Sequence, residues 1–386
     1  MKRLFCAALS ALLLITCAGC GGSVSSAPPQ SSASHSEEPP PPPPPTAEEL
    51  EAQQLEELLS SMTLEEQVGQ LFFVRCPAED AVADVSAYHL GGYLLFGRDF
   101  QDKTANDVIQ AIAAYQDAAA IPLLIGVDEE GGTVVRVSSN PHLRPSKFPS
   151  PQKLYASGGM EAVTAGTREK DLLLSALGIN VNFSPVADVS LTPGDFIHDR
   201  SFGQDASATA DYVAAVVSQM RSDGMGCVLK HFPGYGNNAD THTGIAVDQR
   251  PLEAFRSADF LPFSSGFDAG AGAVLVCHNI VTCLDDTLPA SLSPAAHQAL
   301  RDLGFTGVAM TDDLAMDAVA AYSPGGAVAV MALQAGNDMV VTTDYRTQIP
   351  KVIEAVEQGE LGRSAVEDAC RRVLRWKCSL GLLNFT

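Results

Sequence analysis

Eight short apolar runs, each followed by a stretch of helical periodicity, constrain this 386-residue chain more than any other feature. They lie at 71–74, 92–96, 122–127, 181–189, 226–229, 273–276, 307–310 and 339–341. Between them, Thr104 caps a segment in which Val108, Ile112 and Tyr115 fall on one helical face, and 160–177, 206–223, 293–303 and 326–335 also read as helices. Ahead of the first run, 50–59 reads as a helix and Thr63-Leu64-Glu65-Glu66 is a capping box that opens another. Such alternation, repeated about eight times, predicts an α/β chain folded as a single (β/α)8 TIM-type barrel. A doubly wound open sheet is the alternative. No GxGxxG follows a strand and no GxxxxGK[ST] occurs, so the usual nucleotide reasons for an open sheet are missing. The last helix, 364–378, carries the only tryptophan, Trp376, and is expected to close the barrel.

The chain before this body reads as an address and a spacer. Lys2 and Arg3 precede a short apolar region, 7–15, then Ala18-Gly19 and Cys20. The pattern predicts a lipoprotein signal peptide over 1–19, with Cys20 lipidated as the first residue of the mature chain. A plain cleaved signal is the alternative; the apolar run is too short to span a bilayer, which takes about 20 residues. Residues 20–47, rich in Ser and ending in the prolines 39–45, cannot bury a core and predict a disordered, partly polyproline II tether. The catalytic body is expected at 48–386, anchored outside the cytoplasm to a bacterial cell membrane. A monomer is expected.

Composition narrows the partners. A formal charge of −22 argues against nucleic acid, whose phosphates need clustered Lys and Arg. Beyond Cys20, the cysteines Cys76, Cys227, Cys277, Cys283, Cys370 and Cys378 show no CxxC or zinc-ligand spacing, so neither a structural metal nor a cofactor is expected. Several sit in apolar runs, where cysteine behaves as a small hydrophobe.

In a barrel, catalytic groups lie where strands end and the loops to the helices begin. Strand three ends in Asp128-Glu129-Glu130-Gly131-Gly132, with Arg136 soon after. Strand four ends near Asp188, and its loop carries Asp199 and Arg200. Strand five ends in Lys230-His231, followed by Asp240 and His242; strand six ends in His278-Asn279 and strand seven in Thr311-Asp312-Asp313. Singly, each has a plainer reading: Asp313 as a helix N-cap, His278 as a satisfied core histidine, Arg136 and Arg200 as ion-pair partners. Together they converge on one rim.

Glycoside hydrolysis needs this set: a carboxylate on one face of the sugar, a proton donor at the leaving oxygen, and donors for the hydroxyls. Asp312, held at a strand end, is the candidate nucleophile. His242 is the candidate acid/base, since an imidazole titrates near neutrality. Asp240, two residues earlier, falls on the same side of an extended segment and is placed to orient it.

These residues resemble glycoside hydrolase family 3. The resemblance rests on KHFPGYG at 230–236 with DTH at 240–242, VDEEGG at 127–132, RSFG at 200–203 and MTDDLAM at 310–316. It covers about 48–386 and is nearest to the β-N-acetylglucosaminidase branch, the NagZ-like enzymes. It implies Asp312 as nucleophile, His242 as acid/base on the loop after strand five, and Asp240 as its dyad partner. It implies that Asp128, Arg136, Arg200, Lys230 and His231 bind the non-reducing-end sugar, with no metal. It also implies retention of configuration through a covalent glycosyl-enzyme intermediate. The expected substrate is a GlcNAc-terminated glycan or muropeptide. One departure stands out: Tyr235 replaces the second histidine of the usual KHFPGHG, and Asn237-Asn238 replace an acidic run, which bears on loop mobility and aglycone fit. Other branches draw a carboxylate acid/base from a second domain; the stretch after 345 is too short for one, which independently favours His242.

Three other readings stay open at this stage. One is the same fold acting on a β-glucoside or β-xyloside. A second is a catalytically dead sugar-binding lipoprotein. The third is a metal-dependent barrel hydrolase, for which the ligand cluster is missing.

Overall fold

The eight apolar runs form eight parallel strands in one sheet: β1 Phe72–Arg75, β2 Gly92–Leu95, β3 Leu124–Val127, β4 Val181–Asn182, β5 Gly226–Phe232, β6 Ala273–Val276, β7 Val308–Thr311 and β8 Val340–Thr342. The structure is a computed structural model and describes residues 45–238, 244–316, 319, 322 and 326–385. Each strand from β1 to β6 pairs with the next in the chain, and β8 pairs with β1 in the register Phe72–Val340. The seam between β7 and β8 is drawn together by a bridge at Met310–Met339 and by the Val341 N–H, which donates to Thr311 Oγ1 at 3.1 Å. This is the (β/α)8 barrel expected from the alternation, with helices between the strands.

Parallel strands covered by helices are buried on both faces, which is why they read as continuous apolar runs. Inside the barrel, Phe73 and Phe183 meet at 5.3 Å between ring centroids. Gly126 on β3 makes room for them: a Cβ there would lie 2.6 Å from the Phe73 ring and 2.8 Å from that of Phe183. Burying each such ring contributes about 2–3 kcal/mol. The last helix, Arg363–Ser379, buries Trp376 against Gly272, just ahead of β6. The six cysteines of the body are free, four of them buried.

Two strands differ from expectation, and both differences shape the site. The run 181–189 contributes only two residues of regular strand, because Pro185 has no N–H to give the ladder. Beyond it the chain still follows β5, with the Ala187 N–H donating to Lys230 O at 2.7 Å. β5 itself runs three residues past its expected end, so Lys230 and His231 lie within the strand. Its register with β6 shifts between Leu229 and Phe232. Regular strands send successive side chains to opposite faces, and an irregularity of this kind re-aims them. Both Lys230 and His231 thereby reach the same cavity.

The helix expected at 160–177 begins nine residues earlier, as Pro151–Ala176 behind the Ser150 cap. It breaks at Gly158-Gly159, where the apolar periodicity is interrupted. The helices after Thr63 and Thr104 start at the caps the sequence shows, with both threonines closing capping boxes, and the helix expected at 206–223 runs Ala206–Ser222 behind an Asp205 cap.

Candidate active site

The carboxyl ends of the strands surround a cavity of about 560 Å³, within the range typical of small-molecule sites. It is lined by Asp128, Arg136, Arg200, Lys230, His231 and Asp312, the six described residues to which the sequence assigns catalysis or sugar binding. Asp240, His242 and Cys20 lie outside the described residues.

The loop after β3 is folded by its own second carboxylate. Glu129 is fully buried, and its Oε2 accepts the N–H groups of Arg136 and Val137, each at 2.7 Å. Ser138 binds the other oxygen through both its N–H and its hydroxyl. The tight return needs Gly131 and Gly132, at φ 101° and 68°, a region costly for other residues. Folding back in this way sets the Arg136 guanidinium 3.7 Å from Asp128.

Glu130, next along, is the hub of the charges. Its carboxylate takes a two-pronged contact from Arg200, Nε at 3.1 Å and Nη2 at 2.8 Å, and lies 2.6 Å from Lys230 Nζ. Burial alone would push this carboxyl up, but Arg200 and Lys230 outweigh it and hold Glu130 well below the usual carboxylate range. Lys230 Nζ also donates to Asp128 Oδ1 at 2.7 Å. With two of three ammonium hydrogens engaged, one remains for a ligand in the cavity.

A second chain of contacts fixes His231. Asp188, fully buried, sits 2.7 Å from His231 Nδ1 and accepts the His231 N–H at 3.1 Å. On the other side of the ring, Arg200 Nη2 lies 3.1 Å from Nε2. A guanidinium can only donate, so Nε2 accepts and the proton sits on Nδ1, facing Asp188. The second Asp188 oxygen accepts the Tyr235 N–H at 2.7 Å, joining the sugar pocket to the base of the loop that carries Asp240 and His242. Tyr235 itself is buried, its ring edge-on to His231 and against Phe196. Asn238, at one of the substituted positions, ties the loop down by donating to Asp248 Oδ2 at 2.8 Å.

Asp312 stands just past β7. Its N–H donates to Val276 O at 3.0 Å, and its Oδ1 accepts the Asp313 N–H at 2.8 Å, so both backbone and carboxylate are held. Asp313 also lines the cavity, its carboxyl pushed up by burial and further raised by the charge of Asp312. It accepts the Ala315 N–H two residues on, at 2.9 Å, a local turn contact. His278 is wholly buried between Ser291 Oγ and Asp313 O and does not line the cavity, in keeping with its plainer reading.

The structure adds residues to which the sequence assigned no task. Asp188 and Glu130 were visible at strand ends, yet nothing in their spacing revealed the contacts that fix His231 and Arg200. Arg75 and Phe96 also line the cavity, the guanidinium lying over the ring at 4.1 Å. Arg75 was legible as the lone charge ending the first apolar run.

This arrangement can do three things. It can hold polyhydroxylated ligand with fixed cations and carboxylates, set one rigid carboxylate against it, and resist rearrangement because its charges are mutually paired.

Comparison with known proteins gives the same picture. Residues 63–376 match the glycosyl hydrolase family 3 N-terminal domain. The β-hexosaminidase LpqI of Mycobacterium tuberculosis is 35% identical over 313 residues, covering 78% of this chain and 79% of that one. A β-hexosaminidase of Stenotrophomonas maltophilia is 35% identical over 288 residues, covering 72% of this chain and 83% of its own. Among solved structures, a family 3 β-N-acetylglucosaminidase from Paenibacillus superposes with a TM-score of 0.78 at 29% identity, over 84% of this chain. This chain spans 65% of that longer one. The structure of M. tuberculosis LpqI superposes with a TM-score of 0.76 at 32% identity, covering 84% of this chain and 96% of that one.

Proposed function

The chain belongs to glycosyl hydrolase family 3, and from that premise we infer that it is a β-hexosaminidase that removes terminal β-linked GlcNAc with retention of configuration. The observation that carries this reading is one cavity in which Asp312 meets Asp128, Arg136, Arg200, Lys230 and His231. The relatives named β-hexosaminidase support the same sugar class.

In this mechanism the cations and Asp128 fix the hydroxyls of the terminal sugar and present its anomeric carbon to Asp312. An Asp312 oxygen bonds to that carbon as the bond to the leaving oxygen breaks, and His242 gives the leaving oxygen its proton. Water then attacks the anomeric carbon, His242 takes the water's proton, and the Asp312 carboxylate is released. One water is consumed per bond cleaved. Asp240 orients the imidazole and favours its charged form. The substrates in view are GlcNAc-terminated cell-wall fragments. The protein reaches them from outside the cytoplasm, anchored by a lipid on Cys20 and held off the membrane by the 20–47 tether, with 1–19 removed.

Nitrophenol release tests the sugar: the GlcNAc glycoside should be cleaved well and the glucose glycoside poorly, and a preference for glucose would overturn the assignment. Retention is read by NMR from the anomer first released, which should be β. For the anchor, Cys20→Ala should release the protein from the membrane fraction; undiminished membrane association would remove Cys20 from the account.

A further inference from the structure

The sugar cavity occupies the carboxyl ends of the strands, and a separate cleft of about 240 Å³ opens at their amino ends. The chain enters β5 and β6 there through two matching returns, Gly224-Met225-Gly226 and Gly270-Ala271-Gly272. All four glycines line the cleft, and the last helix and its exit supply Trp376 and Leu380. The volume is that of roughly eight waters at about 30 Å³ each, room for a small organic molecule.

Two hydrogen-bond donors stand on this cleft without an acceptor. Trp376, the chain's only tryptophan, is 4% exposed, yet its indole N–H has no acceptor among the described residues. A buried tryptophan ordinarily gives its N–H to a partner. Gly272 admits the ring: a Cβ there would lie 2.3 Å from Nε1, so the donor edge lies against this wall of the cleft. Arg221, in the last turn of the helix Ala206–Ser222, is exposed and has neither an ion pair nor a hydrogen bond among the described residues. Its guanidinium lies over Gly270, where a Cβ would come within 2.9 Å of Nη1, and Gly270 itself sits at φ 94°. A helix C-terminus favours a cation, which helps to hold the guanidinium there.

No carboxylate lines the space. Asp223, beside Gly224, accepts from Gln219 Nε2 at 2.8 Å. Carbonyls that end the neighbouring helices are taken by the returning chain: the Met225 N–H donates to Met220 O at 2.8 Å and the Ala271 N–H to Gly266 O at 2.9 Å. The Cys227 thiol is pushed up to about 11 by burial and stays neutral. The cleft thus offers donors and one positive charge in a chain of net charge −22, with apolar surface from Met225 and Leu380 beside them. A ligand that answers both carries an anionic acceptor on a short apolar body, and the planar fork of an arginine matches a carboxylate.

We propose that this cleft is a binding site for a small organic acid, its carboxylate taken by Arg221 and the Trp376 N–H and its apolar body laid on Met225 and Leu380. The site is independent of the glycosidase reading, which concerns the other end of the barrel. An acid bound there bridges the entries to β5 and β6 and the last helix, and so stabilises the native chain by mass action.

The single tryptophan makes the test direct. The native protein is titrated with cyclohexanecarboxylate, its neutral carboxamide, cyclohexylmethylammonium and inorganic phosphate, reading Trp376 fluorescence and, in parallel, Tm. The carboxylate should give a saturable change in emission and raise Tm. The carboxamide should bind about tenfold more weakly, and the ammonium should do neither. Arg221→Gln, at an exposed position, should keep the native emission without ligand and weaken carboxylate binding about tenfold, while Arg221→Lys should restore part of it. Equal affinity for acid and amide, or undiminished binding to Arg221→Gln, overturns the site. So does the absence of both a saturable fluorescence change and a rise in Tm. Phosphate binding as tightly as the carboxylate would overturn the assignment to an organic acid.

Discussion

Two regions of the barrel treat buried charge in opposite ways. At the carboxyl end, Glu130 is met by Arg200 and Lys230 and Asp128 by Lys230, while Asp188 is held by hydrogen bonds from His231 and the Tyr235 N–H. Towards the other end, neither carboxyl oxygen of Asp171, on the helix Pro151–Ala176, has a hydrogen-bond partner among the described residues. Burial pushes it up to about 7 despite Lys170 beside it, with Asp223 raising it further. Lys377 on the last helix is wholly buried, gives its ammonium to Gln70 Oε1 at 2.6 Å, and is pushed down to about 7. A low-dielectric interior keeps a charge only where an opposite charge or a set of hydrogen-bond donors is fixed against it, and otherwise drives the group toward neutrality. The carboxyl-end cluster is therefore built to stay ionised around a ligand. Asp338 is likewise held by opposite charge, between Arg301 and Arg372 at the other end, whereas Asp171 and Lys377 are not.

Breaking the charged end should have the largest effect. Glu130→Gln leaves Arg200 and Lys230 facing each other without their shared carboxylate, and should cost about 3–5 kcal/mol in urea unfolding. A loss below about 1 kcal/mol would mean that the pocket's cations do not depend on this hub. Asp188→Asn should leave the protein folded but release His231 from its Nδ1–H form and loosen the Tyr235 anchor. We expect kcat/KM on the nitrophenyl GlcNAc glycoside to fall about 10- to 100-fold, as misplacement of a positioned group does. Because Asp188 acts through His231, the pH–rate profile should change shape as well as height, which general destabilisation would not produce.

The smallest effect sharpens the contrast from the other side. The folded-state value of about 7 for Asp171 lies above the unfolded one near 3.9, so its contribution to stability is complete below about pH 4 and lost as pH rises through about 7. Asp171→Asn should therefore stabilise the protein at pH 8 relative to pH 4, by on the order of 2 kcal/mol in denaturant midpoints. Equal effects at both pH values would show that Asp171 is not held near neutrality.

Much of this was legible in the chain because barrel strands are short, continuous and apolar, and because their final residues are where polarity begins. The polar set at those ends named every assigned residue that the described cavity contains. What was not legible depended on geometry across the barrel. No spacing reveals that Glu129 turns back to clamp its own loop while its neighbour Glu130 turns inward to two cations. Nor does it reveal that a register shift in β5 lets consecutive residues, Lys230 and His231, face one space. The helix over 151–176 was half hidden for a local reason, since Gly158-Gly159 interrupts its periodicity where packing sustains it. Tyr235 read as a departure with consequences for loop mobility; in the structure its ring fills a buried niche between His231 and Phe196.

The proposed mechanism turns on Asp312, held at the end of β7, as the group that bonds to the sugar. The direct measurement is inactivation with a fluorinated or cyclitol glycosyl donor, followed by peptide mapping. One label per chain is expected, on Asp312, within the peptide spanning 307–316. A label on any other residue would contradict it.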